Sequence, residues 1–163
     1  MKVACGFDHA GFPLRDVVLE TLRESGHETL DLGTHSTEPV DYPDVALVVT
    51  RAVCEGEAER GVLVCGSGAG ACFAATKIPG IRAAVAHDAY TAHQVVEHDD
   101  VNVLCLGGRV VGTGLAADIL REFVGARFTG EDRYRRRLAK VAAIERDGLD
   151  AGLPDRAWAG DGT

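Results

Sequence analysis

The stretch GVLVCGSGAG, residues 61–70, decides the fold. Its first five residues are an apolar run of strand length, and the next five contain three glycines, Gly66, Gly68 and Gly70. Glycines this dense after a strand make a tight turn whose backbone N–H groups can converge on an anion, and a helix starting there adds partial positive charge. A strand that turns this way into a helix is the first half of a strand–helix–strand unit.

Working outward, the same alternation recurs on both sides. Residues 3–6 are apolar and lead into Phe7-Asp8-His9. Leu14, Val17, Val18, Thr21 and Leu22 then fall at helical spacing, which predicts a helix over 13–24 with Pro13 in its first turn and Ser25-Gly26 closing it. Residues 27–32 read as a second strand. Asp41 is placed to cap a helix running to residue 54, with Pro43 in its first turn. Downstream, 81–86 and 101–106 read as strands four and five, separated by a helix over 89–97. Further helices are predicted over 112–125 and, strongly basic, over 131–146. Strands alternating with helices predict a five-stranded parallel sheet covered on both faces, a three-layer α/β/α, Rossmann-like fold. With no internal repeat and no linker, residues 1–147 read as one domain. The tail 148–163, rich in Gly, Asp and Ala, is expected to be mobile.

Ligands in such folds bind beyond the carboxyl ends of the strands. Asp8-His9, Thr34-His35, Cys65–Gly70, His87-Asp88 and Gly107-Gly108-Arg109 all fall there. His98-Asp99 precedes strand five, so its placement depends on the fold.

Composition narrows the class. The chain has 163 residues, 46% of them hydrophobic, and a formal net charge of −8, which disfavours non-specific binding to nucleic acid or to an anionic membrane. No apolar run approaches the roughly 20 residues that span a bilayer. The five cysteines (Cys5, Cys54, Cys65, Cys72, Cys105) are odd in number and match neither zinc-site nor redox CxxC spacing. These features point to a reducing, cytoplasmic setting.

Cys65 is the candidate with the most context, since the glycine turn and helix start beside it would support a thiolate. The plainer alternative is a core cysteine before an ordinary turn. Cys72, inside the next helix, reads as packing. CGSGAG is no dinucleotide fingerprint, because that motif belongs on the first strand, and no Gly-Lys-Ser/Thr follows to make a phosphate loop of the NTPase kind. Asp8-His9 is either a satisfied turn or part of a ligand crevice, and His98 either an exposed loop residue or a functional one. His27, His87 and His93 read as surface residues. Arg133, Arg137 and Lys140 share a helical face, suited to a phosphate monoester or simply solvated.

Taken together, GFDHAGFPLR at 6–15, DYPDVA at 41–46, GVLVCGSGAG at 61–70, KIPGIRAA at 77–84, HDDVNVLCLGGRVVG at 98–112 and the pair Arg133/Arg137 resemble the B-type ribose-5-phosphate isomerases and the related galactose-6-phosphate isomerase subunits. The resemblance covers roughly residues 2–146. It implies a homodimer, sometimes a tetramer, that interconverts ribose 5-phosphate and ribulose 5-phosphate through a cis-enediolate with no cofactor and no metal. It also implies a C-terminal dimerisation helix.

The family's cysteine base corresponds to Cys65, and the glutamate of its other branch falls at Ala71. Ser67 corresponds to the hydroxyl beside the base, and His98 to the ring-opening histidine. Asp8 corresponds to the acid facing His98 or the sugar. His9, Arg109, Arg133 and Arg137 correspond to the phosphate binders, Tyr42 to an aromatic lining residue, and the backbone of Gly66, Ser67, Gly68, Ala69 and Gly70 to the anion hole. The implied site is shared, with Cys65, Ser67 and His98 from one subunit and both arginines from its partner.

Two positions depart from the family. Asp99 stands where an asparagine is common after the histidine, and Thr76 where an asparagine precedes Lys77. A carboxylate accepts where an amide could donate, so the sugar can differ: a tetrose or a hexose phosphate such as galactose 6-phosphate or allose 6-phosphate. A sugar-phosphate-binding subunit without turnover is the reading from another class. A thiol-redox protein is least supported, because no resolving cysteine lies at motif spacing.

Overall fold

Alternation along each strand sends successive side chains to opposite faces of the sheet, and in this chain both faces are apolar. In the computed structural model, which describes residues 1–152, one face carries Val3, Cys5, Phe7, Val62, Val64, Leu104 and Leu106 in one buried cluster. The other carries Ala4, Leu63, Cys65, Val103 and Cys105 in a second.

The strands are β1 (Lys2–Phe7), β2 (Glu28–Asp31), β3 (Arg60–Cys65), β4 (Ala83–Val85) and β5 (Val103–Gly107). They lie in the order β2-β1-β3-β5-β4, and every neighbouring pair is parallel. The helices are α1 (Arg15–Glu24), α2 (Tyr42–Cys54), α3 (Ala69–Ala75), α4 (Ala89–Asp99) and α5 (Thr113–Gly125). Residues of α1, α4 and α5 complete the first cluster, and those of α2 and α3 the second. This is the expected three-layer arrangement.

Boundaries differ where local chemistry intervenes. Pro13 begins not an α-helix but a 3-10 turn, Phe12–Leu14, that leads into α1. Asp41 does occupy the N-cap of α2, yet its side chain makes no capping hydrogen bond. β4 is shorter than predicted: its approach is held by side chains, with the Arg82 N–H donating to Asn102 Oδ1 at 2.8 Å. Among the described residues no helix is long and apolar enough to cross a membrane.

The chain leaves β1 toward β2 on one side and reaches β3 on the other, so the sheet's switch point lies between β1 and β3. Phe7 pairs with Val64, and Cys65 with Gly107, which brings the loops after β1, β3 and β5 to one level. They pack backbone against backbone. A Cβ on Gly11 would stand 2.0 Å from the Val64 carbonyl oxygen, and one on Gly108 would stand 2.6 Å from that of Ala10. Gly11→Ala is therefore expected to lower stability by about 1–3 kcal/mol or more. Gly114→Ala in α5, where nothing lies within 4 Å, is expected to raise it by up to about 0.5 kcal/mol. Urea midpoints moving in opposite directions would check both.

The described residues fall into two compact units, Met1–Thr129 and a second beginning at Gly130. The second holds α6 (Asp132–Asp147), predicted from its basic amphipathic pattern. A short 3-10 turn, Gly148–Asp150, follows it. The remainder of the expected mobile tail, 153–163, lies outside the described residues.

Candidate active site

Cys65 is the last residue of β3, and its side chain is 5% exposed. The chain then turns through Gly66-Ser67-Gly68. Gly68 has φ +79°, a left-handed conformation that favours glycine, and it points its N–H at Cys65 Sγ at 3.1 Å. One N–H of the expected anion hole is thus directed at the thiol. A second, that of Ala69, donates to Ser67 Oγ at 3.3 Å. Ser67 is exposed, and its oxygen is turned to its own loop rather than to Cys65.

The first-strand loop meets this turn from one side. Asp8, 5% exposed, accepts from the N–H groups of Ala10 and Gly11 through Oδ1, both at 2.8 Å. The carboxylate therefore shapes the loop in which it sits. His9 accepts from the Val40 N–H through Nδ1 at 3.3 Å, which ties the segment before α2 to the crevice. A neutral imidazole accepting at Nδ1 carries its proton on Nε2, where it can donate to an anionic oxygen.

The fifth-strand loop closes the other side. The Gly108 N–H donates to the Cys65 carbonyl at 2.7 Å, and that of Arg109 to the Gly66 carbonyl at 3.0 Å. A Cβ on Gly66 would lie 3.9 Å from Arg109 Cδ, so the arginine stem runs past the turn. Tyr42 lies over Gly70, where a Cβ would meet its ring at 3.1–3.2 Å. The fold thus gathers Asp8, His9, Tyr42, Cys65, Ser67, the backbone of Gly66–Gly70 and Arg109 at one sheet edge.

His87 belongs there too, contrary to its reading as a surface residue: its Nε2 accepts from the Gly107 N–H at 3.1 Å. Its position directly after strand four was the available signal. Asp88, next to it, caps α4 by accepting from the Thr91 N–H and hydroxyl, each at 2.7 Å, which holds its carboxyl below the usual range.

His98 and Asp99 do not join this cluster within the chain, and their expected company with Cys65 is corrected. They end α4, which runs back against the parallel strands. Glu97, just before them, accepts through its carbonyl from Thr129, and Asp100, just after, pairs with Arg82 at 2.7 Å before β4. Asn102 accepts from the Gly61 N–H near the start of β3. At about 3.3 Å per residue, the four steps from Gly61 to Cys65 put roughly 13 Å between that edge and Cys65. His98 lines a groove of about 440 Å³ along α4 with Tyr90, His93, Glu97 and Glu122. His93, read as a surface residue, sets its Nδ1 at hydrogen-bond distance from Glu122 Oε2 there, 2.9 Å.

In the second unit, α6 sets Arg133 and Arg137 around one ring. Their guanidinium carbons lie 4.5 and 5.8 Å from the Tyr134 centroid. Glu131 also pairs with Arg133 at 2.9 Å, so the basic face carries its own counter-charge.

A family model described as Ribose/Galactose Isomerase matches residues 3–141. Ribose-5-phosphate isomerase B of Escherichia coli is 44% identical over 144 residues, which cover 88% of this chain and 96% of that one. D-erythrulose-4-phosphate isomerase of Pectobacterium atrosepticum is 37% identical over 131 residues, 80% of this chain and 86% of that one. The solved ribose-5-phosphate isomerase B of Clostridium thermocellum superposes with a TM-score of 0.87 at 46% identity, covering 90% and 98% of the two chains. The crevice at the sheet's switch point thus belongs to an enzyme of the aldose–ketose isomerase class. The chain is a member of the ribose/galactose isomerase family.

Proposed function

We propose that the chain interconverts ribose 5-phosphate and ribulose 5-phosphate through a cis-enediolate with Cys65 as base. The observation that carries this reading is the Cys65 sulfur at the switch point, taking the Gly68 N–H at 3.1 Å. In the proposed reaction the Cys65 thiolate removes the C2 proton of the open-chain aldose. The electron pair moves toward O1 to give the enediolate, the O2 hydroxyl proton passes to O1, and the same thiol returns the proton to C1 as the C2 carbonyl forms. Negative charge develops on the sugar oxygens, where fixed donors lower the barrier most. His9 Nε2–H and Arg109 take the phosphate from the same chain.

Ring opening falls to His98. Because His98 and Asp99 lie at the opposite sheet edge from Cys65, they serve the site of a second copy. Arg133 and Arg137 of α6 are assigned to the phosphate of the partner's site, so the working form is a homodimer with shared sites.

The test is a panel of four-, five- and six-carbon sugar phosphates assayed with purified protein plus chelator. Ribose 5-phosphate is expected to give the highest kcat/KM. A higher value for a tetrose or hexose phosphate would transfer the assignment to that sugar, and tight binding without turnover would leave a binding subunit. Asp99→Asn is expected to reorder the panel rather than abolish turnover, since it replaces an acceptor with a group that also donates. An unchanged order would remove Asp99 from sugar recognition.

A further inference from the structure

Three of the five cysteines, well apart in sequence, come together in space. Cys65 and Cys105 lie in one buried cluster, and Cys72 packs against it. Cys105 pairs with Leu63 on one side and with Val85 on the other. The Cys72 side chain, reaching down from α3, meets the sheet at that second seam. Val85 packs against the same cluster, and the Cys72 thiol lies close enough to the Cys105 thiol and the Val85 backbone to interact with both. Sequence spacing had left no resolving partner for any cysteine; the fold supplies one.

We propose that Cys72 and Cys105 form a second thiol site, which peroxide converts to a reversible intrachain disulfide independently of Cys65. The Cys105 thiol and the Val85 backbone draw the Cys72 thiol down to about 7, whereas the same contact and burial push Cys105 well up. Cys72 is half-buried and Cys105 fully buried, so a small oxidant meets Cys72 first. The Cys72 thiolate attacks one peroxide oxygen; the O–O bond breaks, giving a sulfenic acid and hydroxide. The Cys105 sulfur then attacks the Cys72 sulfur. The S–S bond forms, the S–O bond breaks, and the departing oxygen leaves with the Cys105 proton as water. Two electrons pass from the two thiols to one peroxide. Because α3 begins directly after Gly68, the new bond anchors the helix that follows the glycine turn to β5.

Trypsin leaves Cys65 and Cys72 together in the peptide 61–77, so linkage is assigned on the full-length Cys65→Ala chain and cross-checked on the parent. Each is treated with a few equivalents of hydrogen peroxide, alkylated and digested. The expected product in both is a cross-link between peptides 61–77 and 83–109, lost on treatment with dithiothreitol and absent from Cys72→Ala. The proposal is overturned if Cys72 and Cys105 both remain alkylatable. It is equally overturned if Cys72 persists as a sulfenic acid trapped by dimedone, or if Cys72 is found joined to a cysteine other than Cys105.

Discussion

A chain carrying Cys65→Ala is expected to isomerise at least ~10²–10⁴-fold more slowly than the parent while keeping its fold and its affinity for a sugar phosphate. The proposed reaction needs one group to take a proton from C2 and return it at C1. At this sheet edge the Cys65 sulfur is the group that the glycine turn addresses. Ala71, where the other branch of the family carries a glutamate, is buried and has no ionisable atom. Cys72 cannot stand in, because it lies inside α3 and packs against the buried cluster that holds Cys105. The measurements are kcat for ribose 5-phosphate, circular dichroism, and binding of the substrate by calorimetry. Turnover near the parent value in a folded Cys65→Ala chain would take the base role away from Cys65. Cys72→Ala is the matched control and should retain nearly all activity.

The second large effect is a recovery. Cys65→Ala and His98→Asn chains are each expected to be weak alone, yet to regain about a quarter of parental activity when mixed and allowed to exchange subunits. The reason is the sheet's polarity. Cys65 ends β3, whereas His98 ends α4 beside the opposite edge, so one chain cannot present both to one sugar. In a two-fold dimer the heterodimer then has one site with both defects and one with neither. Random exchange makes about half the dimers mixed, and half of their sites are intact. Native mass spectrometry establishes that exchange took place. Absence of recovery in exchanged dimers would mean that His98 serves its own chain or none. Pairing Cys65→Ala with Arg137→Ala puts the same question to α6.

Much of this is legible in the sequence alone. The alternation of apolar runs, the helical spacing of Leu14, Val18 and Leu22, and the dense glycines after Cys65 are local signals, set by pleat, helical pitch and turn sterics. They were enough for a five-stranded parallel sheet, its helices and the edge that carries the crevice. The corrections arose where side chains displaced local rules. Pro13 starts a 3-10 turn, and Asp41 sits at an N-cap without capping through its side chain.

The sequence by itself determined the architecture and the cluster of Asp8, His9, Cys65 and Arg109, because residues directly after parallel strands must emerge at one edge. Only the tertiary structure decided three things. It put His87 against Gly107, since β4 lies beside β5. It seated Cys72 on Cys105, since α3 crosses the seam at which Val85 pairs with Cys105. It sent His98 to the far edge, since α4 must run back before β5 can start in parallel. Each of these joins segments well apart in the chain, and neither residue spacing nor periodicity encodes which strands become neighbours.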